Sequence, residues 1–179
     1  LGSPQFLKTE QGENFSFPSH LHQCFELLTV TKGEMSVTVD GAEFLLKKGE
    51  AVLIFPNQIH SLVSKKSKHF LCIFSPDLIK AFVEKTAESV PVCNKFKPEE
   101  YLLKGISKLA DGSPNIEKKG VLYSLCAQFD KTAQYKKRKS QGGKIIHKIF
   151  AFVENNFSGS CSLEDLAKAT GYDYTYLSK

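Results

Sequence analysis

Arginine is almost missing from this chain: Arg138 is the single one among 24 basic residues. Bidentate guanidinium clamps are thereby excluded from any anion site elsewhere, which must use lysine, histidine or backbone donors. No apolar run reaches the roughly 18 residues that cross a bilayer. The N-terminal string LGSPQFLKTEQ also lacks the charged, apolar and small-residue succession of a secretory signal. A cytoplasmic protein with no membrane partner is therefore expected. The cysteines Cys24, Cys72, Cys93, Cys126 and Cys161 never form a C-x-x-C pair. That spacing suggests neither a zinc knuckle nor a disulfide framework, and they read as buried thiols in a reducing compartment. Acidic residues are missing from Lys131 to Lys148, a stretch with six lysines and one arginine. The excess positive charge, +5 over the whole chain, thus sits just ahead of the C-terminal segment and favours an anionic partner there.

What is present reads as an α+β chain: 179 residues, 41% of them hydrophobic, suffice for one full domain with a smaller appended module. Between Phe15 and Phe74, the apolar runs CFELLTVT, MSVTV, AEFLL, AVLIF and HFLCIF are separated by KG, DG, KKGE and PNQ. Short strands at this spacing predict an antiparallel β-barrel or sandwich. Asp40-Gly41 is the two-residue hairpin signal, since both residues tolerate the positive φ of a type I′ turn. After Phe74 the period changes. Ser75-Pro76-Asp77 supplies a helix cap and first turn. A helix opening at Pro98 carries Leu102, Leu103, Ile106 and Leu109, and one over 114–135 carries Val121, Leu122, Leu125 and Phe129. These stripes predict an αα-hairpin that packs on the barrel or on a second copy, and a homodimer through them is expected. The string KKRKSQGG reads as a flexible linker. Beyond it, Ile146, Ile149, Phe150, Val153 and Phe157 mark an amphipathic helix. The expected division is 1–74 barrel, 75–135 helical dimerisation region, 136–143 basic linker and 144–179 helical module.

In SLEDLAKATGYDYTYLSK, Ser162 and Asp165 form a variant capping box, Gly171 closes one short helix and Asp173 caps the next. The string resembles the first helix-turn-helix of AraC/XylS-type transcription regulators. The resemblance implies that Thr175, Ser178 and Lys179 face base edges of double-stranded operator DNA and that Tyr174 lies near a phosphate. Tyr172, Tyr176 and Leu177 are expected to pack inside. Members of the family continue past this point, so the chain is expected to be a fragment that ends inside its recognition helix, with firm operator binding reserved for the full-length protein.

The same family carries a cupin-type barrel, and HLHQCFELLTVTKG, from His20 to Gly33, matches the first cupin motif H-x-H-x-x-x-E-x-x-x-x-x-x-G. GEAVLIFPNQIH resembles the second through Gly49, Pro56 and His60, but lacks the strict Pro-x-Gly. His20, His22 and Glu26 share strand parity, and His60 is expected to converge on them as a fourth ligand for a divalent transition metal. The departure in the second motif favours a metal-free effector pocket formed by Phe17, His20, His22, Glu26 and His60, with no cofactor required. Phe15 and Phe25 are expected in the same interior, suiting a sugar or an aromatic metabolite. His69 and His147 read as ordinary surface or helix-face residues. The chain is thus expected to be an effector-responsive regulator, not an enzyme. The alternative is a metal-dependent cupin enzyme of dioxygenase or isomerase type.

Overall fold

The computed structural model describes residues 3–138, 145, 148–149, 151–153, 155–159 and 161–178. The chain forms two compact units, Leu1–Lys136 and Lys137–Lys179. The first is built from antiparallel strands β1 (Leu7–Glu13), β2 (Phe17–His20), β3 (Phe25–Val39), β4 (Ala42–Lys47), β5 (Ala51–Ile54), β6 (His60–Val63) and β7 (Ser67–Phe74). A 3₁₀ turn (Pro76–Ile79), α1 (Lys80–Thr86), β8 (Ser89–Pro91), β9 (Lys95–Phe96), α2 (Glu100–Ile106), α3 (Asn115–Thr132) and β10 (Tyr135–Lys137) follow.

The long strand β3 organises the barrel. Its first half, Phe25 to Thr29, pairs with β5 and β7, and its second half, Glu34 to Val39, pairs with β4 and β6. One strand therefore belongs to both faces of the barrel. Lys32-Gly33, expected as a turn, is instead a bend within this strand, where the register with β7 shifts between Val30 and Lys32. Gly33 has φ +74°, and a Cβ there would lie 2.0 Å from the Lys66 carbonyl oxygen. The glycine lets β3 turn the corner rather than stop. Asp40 and Gly41, at φ 49° and 83°, form the expected hairpin between β3 and β4.

Period-two alternation decides what faces what. Phe25, Leu27, Leu53, Phe55, Cys72 and Phe74 point to one side, joining Leu78, Ile79, Phe82, Ile106, Leu109, Leu122, Leu125 and Phe129 in one core. Leu28, Val30, Val52, Ile54 and Leu71 point to the other, where they meet Met35, Val37, Val39, Leu46 and Leu62 inside the barrel. The apolar stripes of α2 and α3 thus pack on the barrel of their own chain. Leu125 is fully buried there, so the expected dimer through these stripes is excluded for that residue. Lys118 is also buried; its Nζ donates to the carbonyls of Gln5 (3.1 Å) and Asp111, tying the N-terminal segment to α3.

Several expectations are corrected. Strands β1 and β2 precede the first anticipated strand, and β6, β8, β9 and β10 were not anticipated. Lys136 and Lys137 lie in β10, not in a linker; 139–143 lie outside the described residues. Cys93 and Cys161 are exposed, whereas Cys24, Cys72 and Cys126 are buried as expected. His69 is buried, its ring 5.0 Å from that of Phe15, and His147 lies outside the described residues. Among the described residues no helix is long and apolar enough to cross a membrane.

In the second unit, the described residues between 145 and 156 are helical, though Ile146 and Phe150 lie outside the description. Helices α4 (Leu163–Thr170) and α5 (Tyr174–Leu177) follow. The Ser162 hydroxyl accepts from the Asp165 N–H, Gly171 ends α4 at φ 72°, and the Asp173 carboxylate caps α5. All three follow the local chemistry read from the sequence.

Candidate functional site

Strand pairing brings three of the barrel's polar residues together, and the connection between β2 and β3 supplies the fourth. His20 ends β2 and sits in register with His60 of β6, which also faces Val39 of β3. Glu26 has the parity of Leu28 and Val30, so it faces the barrel interior, opposite Ile54 and Ile73. His22 lies between β2 and β3, so the three do not share one strand as expected. Phe25 points to the other side and stacks near Phe74 and Phe55, which removes it from the expected pocket. Phe15 packs on the barrel core, and Phe17, 43% exposed, sits edge-on to His20 at 4.5 Å.

Each imidazole is oriented in the same way. The Nδ1 of His20, His22 and His60 donates to the carbonyls of Pro18 (2.9 Å), Cys24 (3.0 Å) and Gln58 (2.9 Å). A carbonyl only accepts, so Nδ1 carries a proton in each ring and Nε2 is turned inward, where a second proton is needed to donate to the Glu26 carboxylate. The His22 Nε2 lies 3.1 Å from Glu26 Oε2, within hydrogen-bond reach, whereas the His60 Nε2 is 3.6 Å from it, too far for a hydrogen bond. Glu26 Oε1 and His60 Nε2 are buried with no hydrogen-bond partner. One ligand atom from each of His20, His22, Glu26 and His60 falls within 4.8 Å of all the others.

The electrostatics follow from this packing. Burial alone raises the Glu26 carboxyl, but His22 and His60 outweigh it and hold the carboxyl at about 2. Burial pulls the His60 imidazole down, yet the Glu26 carboxylate and the Gln58 carbonyl prevail and raise it. His20, facing two other histidines, is lowered, chiefly by burial.

Behind His60 lies a polar support that the sequence reading missed. Asp40 accepts from the Gln58 side chain (2.9 Å) and the Ile59 N–H (3.0 Å). Gln58 Oε1 accepts from the Phe55 N–H (2.9 Å) and from Asn94 Nδ2 (2.7 Å), which also reaches the Leu53 carbonyl. The only available signals were Asp40 in its hairpin and the amide of Gln58 beside the second motif. A separate groove of about 810 Å³ is lined by Thr29, Phe70, Leu103, Lys48, Lys97 and Lys104, among others.

Among the expected DNA-facing residues, Tyr174, Thr175 and Ser178 are exposed at α5, and Lys179 lies outside the described residues. Tyr172 and Leu177 are half-buried, but Tyr176, expected inside, is 61% exposed and stacks on Tyr172.

A family model described as the AraC-like ligand binding domain matches residues 3–125, most of the chain and all of the barrel. The chain belongs to that family. Among solved structures, this AraC-like domain is similar to ToxT from Vibrio cholerae, with a TM-score of 0.60 at 10% identity, covering 96% of this chain and 73% of that one. It is also similar to ToxT from Vibrio cholerae O395 bound to (E)-4-(8-methylnaphthalen-1-yl)but-3-enoic acid, with a TM-score of 0.62 at 11% identity, covering 96% and 74%. At such identities the likeness is one of fold. A search of curated protein sequences returns no match. For an AraC-like ligand-binding domain, the inward-facing cluster of His20, His22, Glu26 and His60 combines four converging polar side chains with two unsatisfied buried atoms.

Proposed function

We propose that this chain carries the effector-sensing barrel and a DNA-reading helix pair of an AraC-type transcription regulator, and that the effector is bound at the barrel mouth by Phe17, His20, His22, Glu26 and His60. The family match over the barrel supports a binding role rather than catalysis. The observation that carries the placement is the pair of buried, unpartnered atoms at that mouth, since buried polar groups are otherwise satisfied in folded proteins. The capped α4–α5 pair joined at Gly171 supports a helix-turn-helix whose Tyr174, Thr175, Ser178 and Lys179 meet double-stranded operator DNA. A homodimer is retained on the outer faces of the helical region, where Tyr101 and Ile116 are 64% and 85% exposed.

Selection of bound sequences from a random duplex pool by the full-length regulator tests this reading. A paired consensus site is expected, and Ser178→Ala relaxes the preference at one base position. Recovery of sequences without any consensus defeats it.

A second reading places an organic effector in the lysine-rimmed groove. Its apolar side chains, with Lys48 and Lys97 beside the Glu100–Lys104 pair, match an organic acid carrying an aromatic ring, the class of compound bound in one ToxT structure. Lys97→Ala then weakens the response while Glu26→Gln leaves it intact; the opposite pattern supports the barrel mouth.

A further inference from the structure

We infer that the effector taken at the barrel mouth is a first-row divalent transition-metal cation, held by the Nε2 atoms of His20, His22 and His60 together with the Glu26 carboxylate. This rests on the sensing role proposed above and names the class of ligand that the sensor takes.

Four independent observations converge on an ion rather than a sugar or an aromatic ring. First, the three imidazoles are preset. Each spends its Nδ1 proton on a carbonyl within two residues of itself, which fixes the ring orientation and leaves Nε2 as the atom that gives up its own proton to become a lone-pair donor, the arrangement that orients metal-binding histidines. Second, the donor atoms lie within 4.8 Å of one another. Bonds of about 2.0–2.2 Å to a common centre put donors roughly 3.3–4.3 Å apart, so small side-chain rotations complete the set.

Third, the unsatisfied atoms are where the ion belongs. His60 Nε2 and Glu26 Oε1 lack hydrogen-bond partners, although the two side chains are only 0% and 3% exposed. Fourth, the interior below them is filled. Leu28, Met35, Val37, Leu46, Val52 and Ile54 are all 0% exposed, so their side chains fill the interior and leave no room for a sugar beneath the cluster. Three nitrogens and one carboxylate, with no thiolate, suit Zn²⁺, Fe²⁺, Co²⁺ or Ni²⁺ over the hard Mg²⁺ and Ca²⁺, which prefer all-oxygen cages.

The test uses the chain stripped with EDTA and titrated with Co²⁺, read by visible ligand-field absorption and by metal content after desalting. One cobalt per chain is expected, displaced by Zn²⁺. His20→Ala, at a half-buried position, is expected to weaken binding at least 10-fold, and His69→Gln, outside the cluster, to leave it unchanged. Hydrogen exchange is then compared with and without Zn²⁺. Slowed exchange at Gln58, Ile59 and Asn94, beyond the ligands themselves, is expected of a sensed ion. Substoichiometric cobalt, or binding that survives His20→Ala, overturns the inference. So does stoichiometric binding with exchange unchanged away from the ligands, which marks a static structural ion. If the EDTA-treated protein instead binds an organic effector at the mouth, the cation is overturned and the sensing role stands. If the cation binds and alters exchange but never changes operator affinity of the full-length regulator, the regulatory reading fails and the site remains.

Discussion

His20 and His60 face each other across the β2–β6 pair with ring centroids 4.1 Å apart, the first half-buried and the second fully buried. Their different burial separates two effects that share one site. His20→Ala is expected to change unfolding free energy by less than about 1 kcal/mol, as at other partly exposed positions. His60→Ala opens a hole beside the Glu26 carboxylate and is expected to cost about 2–3 kcal/mol. Urea unfolding of the metal-free variants checks the contrast; equal losses contradict it.

Acid and base act on opposite partners of the Glu26–His60 pair. The Glu26 carboxyl is held at about 2, below the usual carboxyl value of 4.5, so its contribution is present above 4.5 and fades as pH falls from there toward 2. His60 is raised above 6.5, so its contribution is complete below that value and is lost as pH rises through its folded value. Both are present together between 4.5 and 6.5. In EDTA, Glu26→Gln is therefore expected to destabilise most near pH 5.5, by roughly 3 kcal/mol, and less at pH 3 and pH 8. A difference that does not vary with pH refutes the pairing.

Gly33→Ala is expected to cost at least about 2 kcal/mol, because it combines a left-handed φ with a Cβ placed against the Lys66 carbonyl oxygen. Gly41→Ala, where nothing lies within 4 Å, pays for φ alone and is expected to cost about 1 kcal/mol. Thermal unfolding of the two variants ranks them; the reverse order removes the bend from its role in β3.

Much of this was legible in the strings themselves. Asp40-Gly41, the Ser75-Pro76 cap, and the Ser162 and Gly171 ends of α4 follow from local backbone chemistry, which needs no knowledge of the rest of the chain. Lys32-Gly33 misleads because a left-handed glycine serves a bend within a strand as well as a turn between two; only the pairing of β3 with four neighbours distinguishes them. The convergence of His20, His22, Glu26 and His60 was readable from spacing, although His22 comes from a connection and not from a strand. Phe25 and the role of Leu125 were not readable, since each depends on which face of the sheet the helices cover. Asn94 and Gln58 could not be found at all, because a buried amide pair looks like two ordinary loop residues until the fold closes over them.

Leu125→Glu is expected to abolish folding rather than to yield a folded monomer, since a carboxylate placed among Leu122, Phe129 and the barrel side chains has no partner or solvent. Circular dichroism with light scattering checks this. A well-folded, monomeric variant restores the helical stripe to an interface between copies.

Asn94→Ala removes the donor that holds Gln58 Oε1 and the Leu53 carbonyl, loosening the segment that aims His60. Cation affinity is expected to fall about 10-fold, the lower end for residues that support a ligand, with cobalt stoichiometry unchanged. An affinity equal to that of the parent chain removes Asn94 from the site.

Because β3 runs through both faces of the barrel, Glu26 rides with β5 and β7 while His20 and His60 ride with β2 and β6, which join the far half of the same strand. An ion held by Glu26, His20 and His60 would therefore span the two faces on either side of the Gly33 bend and act as a cross-tie between them, with His22 on the connection that joins β2 to β3.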